Sequence, residues 1–137
     1  MTVHVGTDTR GLVHTLTTTD AAAADITQLD DLLHGRESTL YGDKAYWKAD
    51  EKAQWEASGG TYRINRRGQR TPHWDRINAI RSKIRARCEH VFFVVKRLWG
   101  STKVRYRGLA KNTVRAYAAF ALANLCMVRH KLRPHGT

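Results

Sequence analysis

Cysteine is scarce in this sequence. Cys88 and Cys126 are its only two, far apart and in no Cys-x-x-Cys pair, so a reducing cytoplasm is the expected setting. No apolar run reaches 18 residues, which excludes a membrane span and a membrane partner from the expectation. The opening residues Met1-Thr2-Val3-His4-Val5 lack the basic-then-apolar pattern of a secretory signal. Acidic residues are short too: 12 Asp and Glu stand against 24 Lys and Arg, for a formal charge of +12 and a pI near 10.3. That balance argues against an ordinary near-neutral enzyme and for a polyanionic partner. What remains is a chain of 137 residues, 42% apolar, long enough to bury a core.

The excess charge is concentrated. Residues 62–111 hold 15 Lys and Arg but only two acids, Asp75 and Glu89, while the other 87 residues hold 9 basic and 10 acidic groups. A solvated helix face is the plain reading of a charge run. Fifty residues with almost no counter-charges instead favour relief by an anionic backbone such as nucleic acid.

Periodicity predicts strands first and helices after. Val3–Asp8 and Leu12–Thr18 are β-branched-rich runs joined at the turn residues Asp8-Thr9-Arg10-Gly11. Asp20 is placed to cap a helix through Leu33, with Ile26, Leu29, Leu32 and Leu33 at helical spacing. Thr39-Leu40-Tyr41 reads as a brief strand, residues 45–57 as a helix, Thr61–Asn65 as another strand, and Arg66–Pro72 as a basic loop. Two long helices follow. From Asp75 to Leu98 the stripe Ile77, Ile80, Ile84, Cys88, Val91, Val95, Leu98 holds for six turns. From an Asn112 cap to Leu132, Val114, Ala118, Ala121, Leu125, Val128 and Leu132 repeat it, and the many alanines suggest close packing before Pro134 and Gly136. The pattern is mixed α/β.

On a helical wheel centred on Ile84, Arg85, Glu89 and Lys96 fall about 100°, 140° and 120° away, on a face distinct from the core. An i,i+4 ion pair between Arg85 and Glu89 accounts for part of that by itself. Asp43 follows a short strand in Tyr41-Gly42-Asp43-Lys44-Ala45-Tyr46, where a turn or cap role is the plain reading. A strand-end Asp with a helix Glu in a basic protein also suits Mg²⁺ and phosphodiester chemistry, because hard divalent ions want oxygen ligands. His4, His14, His34 and His73 are dispersed and lack His-x₃-His spacing, so no zinc site is expected. His90 reads as a surface residue, Trp47, Trp55, Trp74 and Trp99 as core more than base-stacking platforms, and Phe92 and Phe93 as packing residues.

Several blocks carry a family resemblance: His4-Val5-Gly6-x-Asp8, Gly11-Leu12-Val13-His14, Leu32-Leu33-His34-Gly35 and Gly42-Asp43-Lys44-Ala45-Tyr46, then Ile84 through Phe92, Lys96-Arg97, Arg105-Tyr106-Arg107-Gly108-Leu109-x-Lys111-Asn112 and Ala123-Asn124-Leu125. Together they span nearly the whole chain. The sequence resembles the C-terminal part of a bacterial insertion-sequence transposase of the IS4/IS5 type, a DDE enzyme with a ribonuclease H-like catalytic fold. The resemblance implies that Asp43 and Glu89 are the second and third acids of the catalytic triad and hold Mg²⁺ or Mn²⁺. It also implies DNA as partner, at transposon ends and target. The family's Tyr-x₂-Arg-x₃-Glu-x₆-Lys signature is met by Arg85, Glu89 and Lys96, whereas Ser82 stands at the Tyr position.

In the family the first catalytic Asp lies on a central strand upstream of the segment matching Val3–Asp8. The resemblance therefore implies a partial catalytic domain, an α/β ribonuclease H-like mixed sheet without its first strand, followed by two long helices. Residues 1–65 form its strand and helix part with the second acid, 66–100 the Glu-bearing helix, and 101–137 a basic turn and the C-terminal helix. Asp8 is read as a turn residue and not as the missing ligand. Arg63, Arg66, Arg67, Arg70, Arg105 and Arg107 are expected to join Arg85 and Lys96 on DNA phosphates.

Three functions follow: a transposase catalytic fragment inactive alone, a catalytically dead fragment that binds DNA or a complementary transposase chain, and, disfavoured for want of any RNA-module signature, a basic RNA-binding protein. The expected place is the cytoplasm, on the nucleoid when DNA-bound. Unpaired strand edges are costly if buried and sticky if exposed. The isolated chain is therefore expected to be marginally stable, or to complete its sheet with another segment; a cooperative thermal melt of a pure monomer is the contrary result.

Overall fold

The structure, a computed structural model, describes residues 1–22, 25–66, 68, 71–100 and 105–132. The expected Arg67, Arg70, Pro134 and Gly136 features lie outside the described residues, as does the side chain of Ile26.

Strands β1 (Thr2–Thr7) and β2 (Val13–Thr19) pair antiparallel from Thr2↔Thr19 to Thr7↔Val13, with a bulge at Gly6/Thr7. The turn is the expected Asp8–Gly11, with Gly11 at φ +85°. Its tip is pressed onto a helix: a Cβ on Gly11 would stand 2.7 Å from the Arg87 carbonyl oxygen, and Arg87 Nη1 donates to the Thr9 carbonyl at 2.7 Å.

The expected helix from Asp20 shrinks to a 3₁₀ turn, Asp25–Gln28, and one turn of helix, α1 (Leu29–Leu32). Asp30 and Asp31 crowd this short element with no basic residue in its last turn to answer the helix dipole. Strand β3 (Thr39–Leu40) pairs parallel with β4 (Thr61–Tyr62), shorter than the predicted Thr61–Asn65. The helix expected over 45–57 is split into a 3₁₀ turn, Lys44–Tyr46, and α2 (Ala49–Ala57). Trp47 separates them in extended backbone, where it and Tyr46 pack on the buried cluster Leu29, Leu40, Tyr62 and Ile64.

Helix α3 runs Pro72–Trp99, starting three residues before the expected Asp75 and taking in Pro72, the last residue of the predicted loop. Thr71 Oγ1 accepts from the Trp74 N–H at 3.3 Å, Pro72 fills the first helical position, and Gly100 ends the helix at φ +56°. Helix α4 runs Leu109–Leu132 and starts before the expected Asn112 cap. Asn112, buried inside the first turn, accepts from the Tyr106 N–H at 3.1 Å and donates to the carbonyls of Tyr106 and Gly108 at 2.6 Å, clamping the preceding turn.

The main core packs the hairpin on both long helices through Leu16, Val91, Val94, Val95, Ala116, Ala119, Phe120 and Ala123. The face predicted for α4 is thus the wrong one. Val114 is 69% exposed and Leu132 61%, while Ala116, Ala119 and Ala123 are buried. On α3, Ile80 and Leu98 are exposed, as is Phe93, whose neighbour Phe92 meets Phe120 edge-on at 5.3 Å between ring centres.

Helix α4 also covers the outer edge of β2. Asn124 Oδ1 accepts from the Val13 N–H at 2.9 Å, its Nδ2 donates to the Val13 carbonyl at 2.7 Å, and the Tyr117 hydroxyl donates to the Leu16 carbonyl at 2.8 Å. The described strands form two separate two-stranded sheets, β1-β2 and β3-β4, in place of the single mixed sheet expected. No described helix is long and apolar enough to cross a membrane. Asn124→Ala strips both hydrogen bonds from Val13 and is expected to cost about 1–3 kcal/mol, against little change for exposed Leu125→Ala, by chemical denaturation.

Candidate functional site

Asp43 enters the site three residues past β3, which ends at Leu40 and not at the expected Tyr41. Its carbonyl accepts from Tyr46 N–H at 2.9 Å and its Oδ1 from Ala45 N–H at 3.4 Å, so it does cap the 3₁₀ turn, as the plain reading had it. That turn is tethered from two directions. The Tyr46 hydroxyl shares a 3.1 Å hydrogen bond with Nδ1 of buried His4 on β1, and the Tyr46 carbonyl accepts from the Tyr62 hydroxyl at 3.1 Å. Tyr62 also accepts from Lys48 N–H, and burial pushes its hydroxyl pKa up. His4 is held in turn by Thr19 through a 2.9 Å contact at Nε2.

Glu89 comes from α3, whose position is fixed by the Gly11 contact at Arg87 and by Arg81, which donates to Asn65 at 2.8 Å. Arg85 joins the two elements. It donates from Nε to Glu89 Oε1 at 3.1 Å, with Nη2 3.0 Å from the same oxygen, and its Nη1 lies 3.6 Å from Asp43 Oδ2. The predicted i,i+4 pair therefore exists, but its cation is shared with an acid 42 residues away in sequence. Both carboxylates are largely exposed, 55% for Asp43 and 63% for Glu89, and Arg85 is 31% exposed. Among the described residues no third acid, histidine or cysteine completes a ligand cluster with them.

A protein-family model described as "Transposase DDE domain" matches residues 1–125. The chain belongs to that family. No solved structure matches it. A DDE transposase domain acts on DNA, and the mixed α/β architecture with its small sheets and long helices is consistent with a ribonuclease H-like core.

The other predicted residues surround the acids less closely. Lys96 is exposed seven residues beyond Glu89, two turns along the same helix. Arg66 is exposed with its guanidinium 5.2 Å from the Trp47 ring centre, a cation–π contact beside the Asp43 turn. Arg105 and Arg107 are exposed on the turn that Asn112 clamps. Trp47, Trp55 and Trp99 pack on the two cores, and His90 is an exposed residue stacked on Phe93. The role of Arg85 as a bridge was not legible, because nothing local to either acid shows that they meet.

Asp8 is fully engaged by its turn. Its Oδ1 accepts from the N–H groups of Arg10 and Leu12 and its Oδ2 from Arg10 Nε, all at 2.9 Å. Burial disfavours its charged form, but these hydrogen bonds and the Arg10 charge outweigh that and hold its pKa below 3.8. A depressed carboxylate pKa contributes stability that is present above the unfolded value and lost as pH falls through the folded one. Asp8→Ala is therefore expected to be less stable than the natural chain at pH 7, the gap closing as pH drops below 3.8, in denaturation curves taken at stepped pH.

Proposed function

We propose that this chain is part of a metal-dependent DNA cleavage and strand-transfer domain of an IS4/IS5-type bacterial insertion-sequence transposase, with Asp43 and Glu89 as cation ligands. The observation that carries it is the convergence of these two acids on Arg85. Their donor set fits the group: carboxylate oxygens, exposed enough for a partly hydrated Mg²⁺ or Mn²⁺ to reach. Such an ion supplies Lewis acidity toward a DNA phosphate. Arg85 holds the like-charged carboxylates together without an ion, and with one bound its guanidinium is free to turn to phosphate. Lys96, Arg66, Arg105 and Arg107 extend the phosphate-binding surface, and the working place is the cytoplasm, on the nucleoid when DNA-bound.

A second reading has its own observation. No third acid stands beside the pair among the described residues, and Asp8 is engaged by its turn. On that reading the chain alone binds DNA or a complementary transposase chain without cutting, and damps transposition.

DNA binding by the purified chain is expected to survive Asp43→Asn and Glu89→Gln. Replacing Arg66, Arg105 and Arg107 by Ala should weaken it and lower the salt slope by about 1 per lost phosphate contact. An unchanged affinity and slope would refute the basic surface. Strand cleavage with Mg²⁺, abolished by Glu89→Gln, supports the catalytic reading when a complementary chain carrying a strand-borne Asp is needed. Cleavage by the chain alone would overturn the reading that it does not cut by itself.

A further inference from the structure

Away from the acidic pair, the fold gathers a second set of ligand-bearing side chains. His14 stands near the start of β2, His34 two residues past α1, and Glu37 in the connection to β3. Twenty residues apart in sequence, the two imidazoles lie with ring centres 3.9 Å apart and planes inclined by 47°. Glu37 Oε1 accepts from the His34 backbone N–H at 2.8 Å and is 2.7 Å from His34 Nδ1. Its Oε2 is buried with no hydrogen-bond partner. The Thr15 hydroxyl touches both rings, 2.8 Å from His14 Nδ1 and 3.2 Å from His34 Nε2. One nitrogen from each ring and one Glu37 oxygen all lie within 4.8 Å of one another.

The sequence also leaves room for this arrangement. A Cβ on Gly6 of β1 would come 2.7 Å from His14 Cε1 and 2.9 Å from the Leu32 carbonyl. Only a residue without a side chain lets the imidazole lie across the hairpin toward the end of α1.

We propose that His14, His34 and Glu37 bind one divalent cation of the zinc class, which clips the β1-β2 hairpin to the segment leading into β3. Two imidazole nitrogens and a carboxylate oxygen suit a borderline ion with tetrahedral preference and leave a fourth position for water. Mg²⁺ prefers an all-oxygen shell, so the site differs in chemistry from Asp43 and Glu89. Bond lengths of about 2.0–2.1 Å put tetrahedral ligands roughly 3.3 Å apart, so the three groups close by an ångström or so on binding. His14 and His34 are exposed, and little packing resists that movement. The mechanical consequence follows from the topology. The two small sheets share no ladder among the described residues, and the ion adds a bond between β2 and the connection leading into β3.

The test uses the full chain, stripped with a chelator and titrated with Zn²⁺ against a chromophoric competitor, with thermal melts in parallel and Co²⁺ as a spectroscopic substitute. One Zn²⁺ per chain, a tetrahedral Co²⁺ spectrum and a melting temperature raised by several degrees are expected, with Mg²⁺ unable to replace them. His14→Ala and His34→Ala should each weaken Zn²⁺ binding about tenfold or more and remove the thermal gain. Asp43→Asn with Glu89→Gln should leave both intact. His14→Gln and His34→Gln, which keep a hydrogen-bonding side chain, serve if the alanine variants lose their metal-free fold. Failure to bind Zn²⁺ stoichiometrically, or binding unchanged in the double histidine variant, would overturn the site and leave a metal-free His34–Glu37 pair with the His14 ring tilted against it.

Discussion

The docking of the β1-β2 hairpin onto α3 and α4 is the constraint on which the rest of the molecule depends. A lone hairpin is at best marginal in water, and this one gains its third and fourth walls from helices. Leu16 and the inner faces of Val3, Val5 and Val13 pack on Val91, Val95 and the alanines of α4. The outer edge of β2 is closed by side chains in place of a strand, Asn124 on Val13 and Tyr117 on Leu16. A helix lying along an edge both satisfies its backbone groups and blocks another chain from pairing there. At the far end the Gly11 tip meets the Arg87 carbonyl, which fixes where along α3 the hairpin sits. Arg85 and Glu89 are placed by that contact, two residues to either side of it.

Legibility in the sequence followed the strength of the local signal. The hairpin was readable because Asp8, Arg10 and Gly11 form a turn whose hydrogen bonds all lie within five residues. The existence of both long helices was readable from periodicity. The face of α4 was not. Its apolar residues nearly encircle the helix, so spacing alone favoured the larger Val114, Leu125 and Leu132, whereas the hairpin approaches closely and selects the small Ala116, Ala119 and Ala123. Two asparagines on that side of the helix satisfy backbone groups, Asn112 on the turn before α4 and Asn124 on β2. The short elements between β2 and α3 were cut down for a related reason. Their aromatic residues serve the second core, and Trp47 takes extended backbone to reach it.

The candidate site was half legible. Asp43 and Glu89 were each marked by residue type and by the family resemblance, but their meeting is a tertiary fact carried by His4, Tyr46 and Arg81. Histidines without motif spacing gave no sign of a cluster for the same reason: the turn after α1 brings His34 back over β2, and Gly6 makes the space.

Arg85 shows why so basic a region keeps one acid at its centre. Within residues 62–111, Glu89 is one of two acids among 15 basic side chains, and it engages Arg85 through two nitrogens while Asp43 reaches the third. Both acids and the guanidinium stay partly in water, so these contacts are worth little to folding and are readily exchanged. A phosphate approaching Arg85 competes with the carboxylates for the guanidinium, and a divalent cation approaching the carboxylates competes with Arg85 for them. Each arrival vacates the partner that the other requires. On the proposed reading, cation and DNA backbone therefore bind with positive coupling, because the contact broken by the first is one the second need not break.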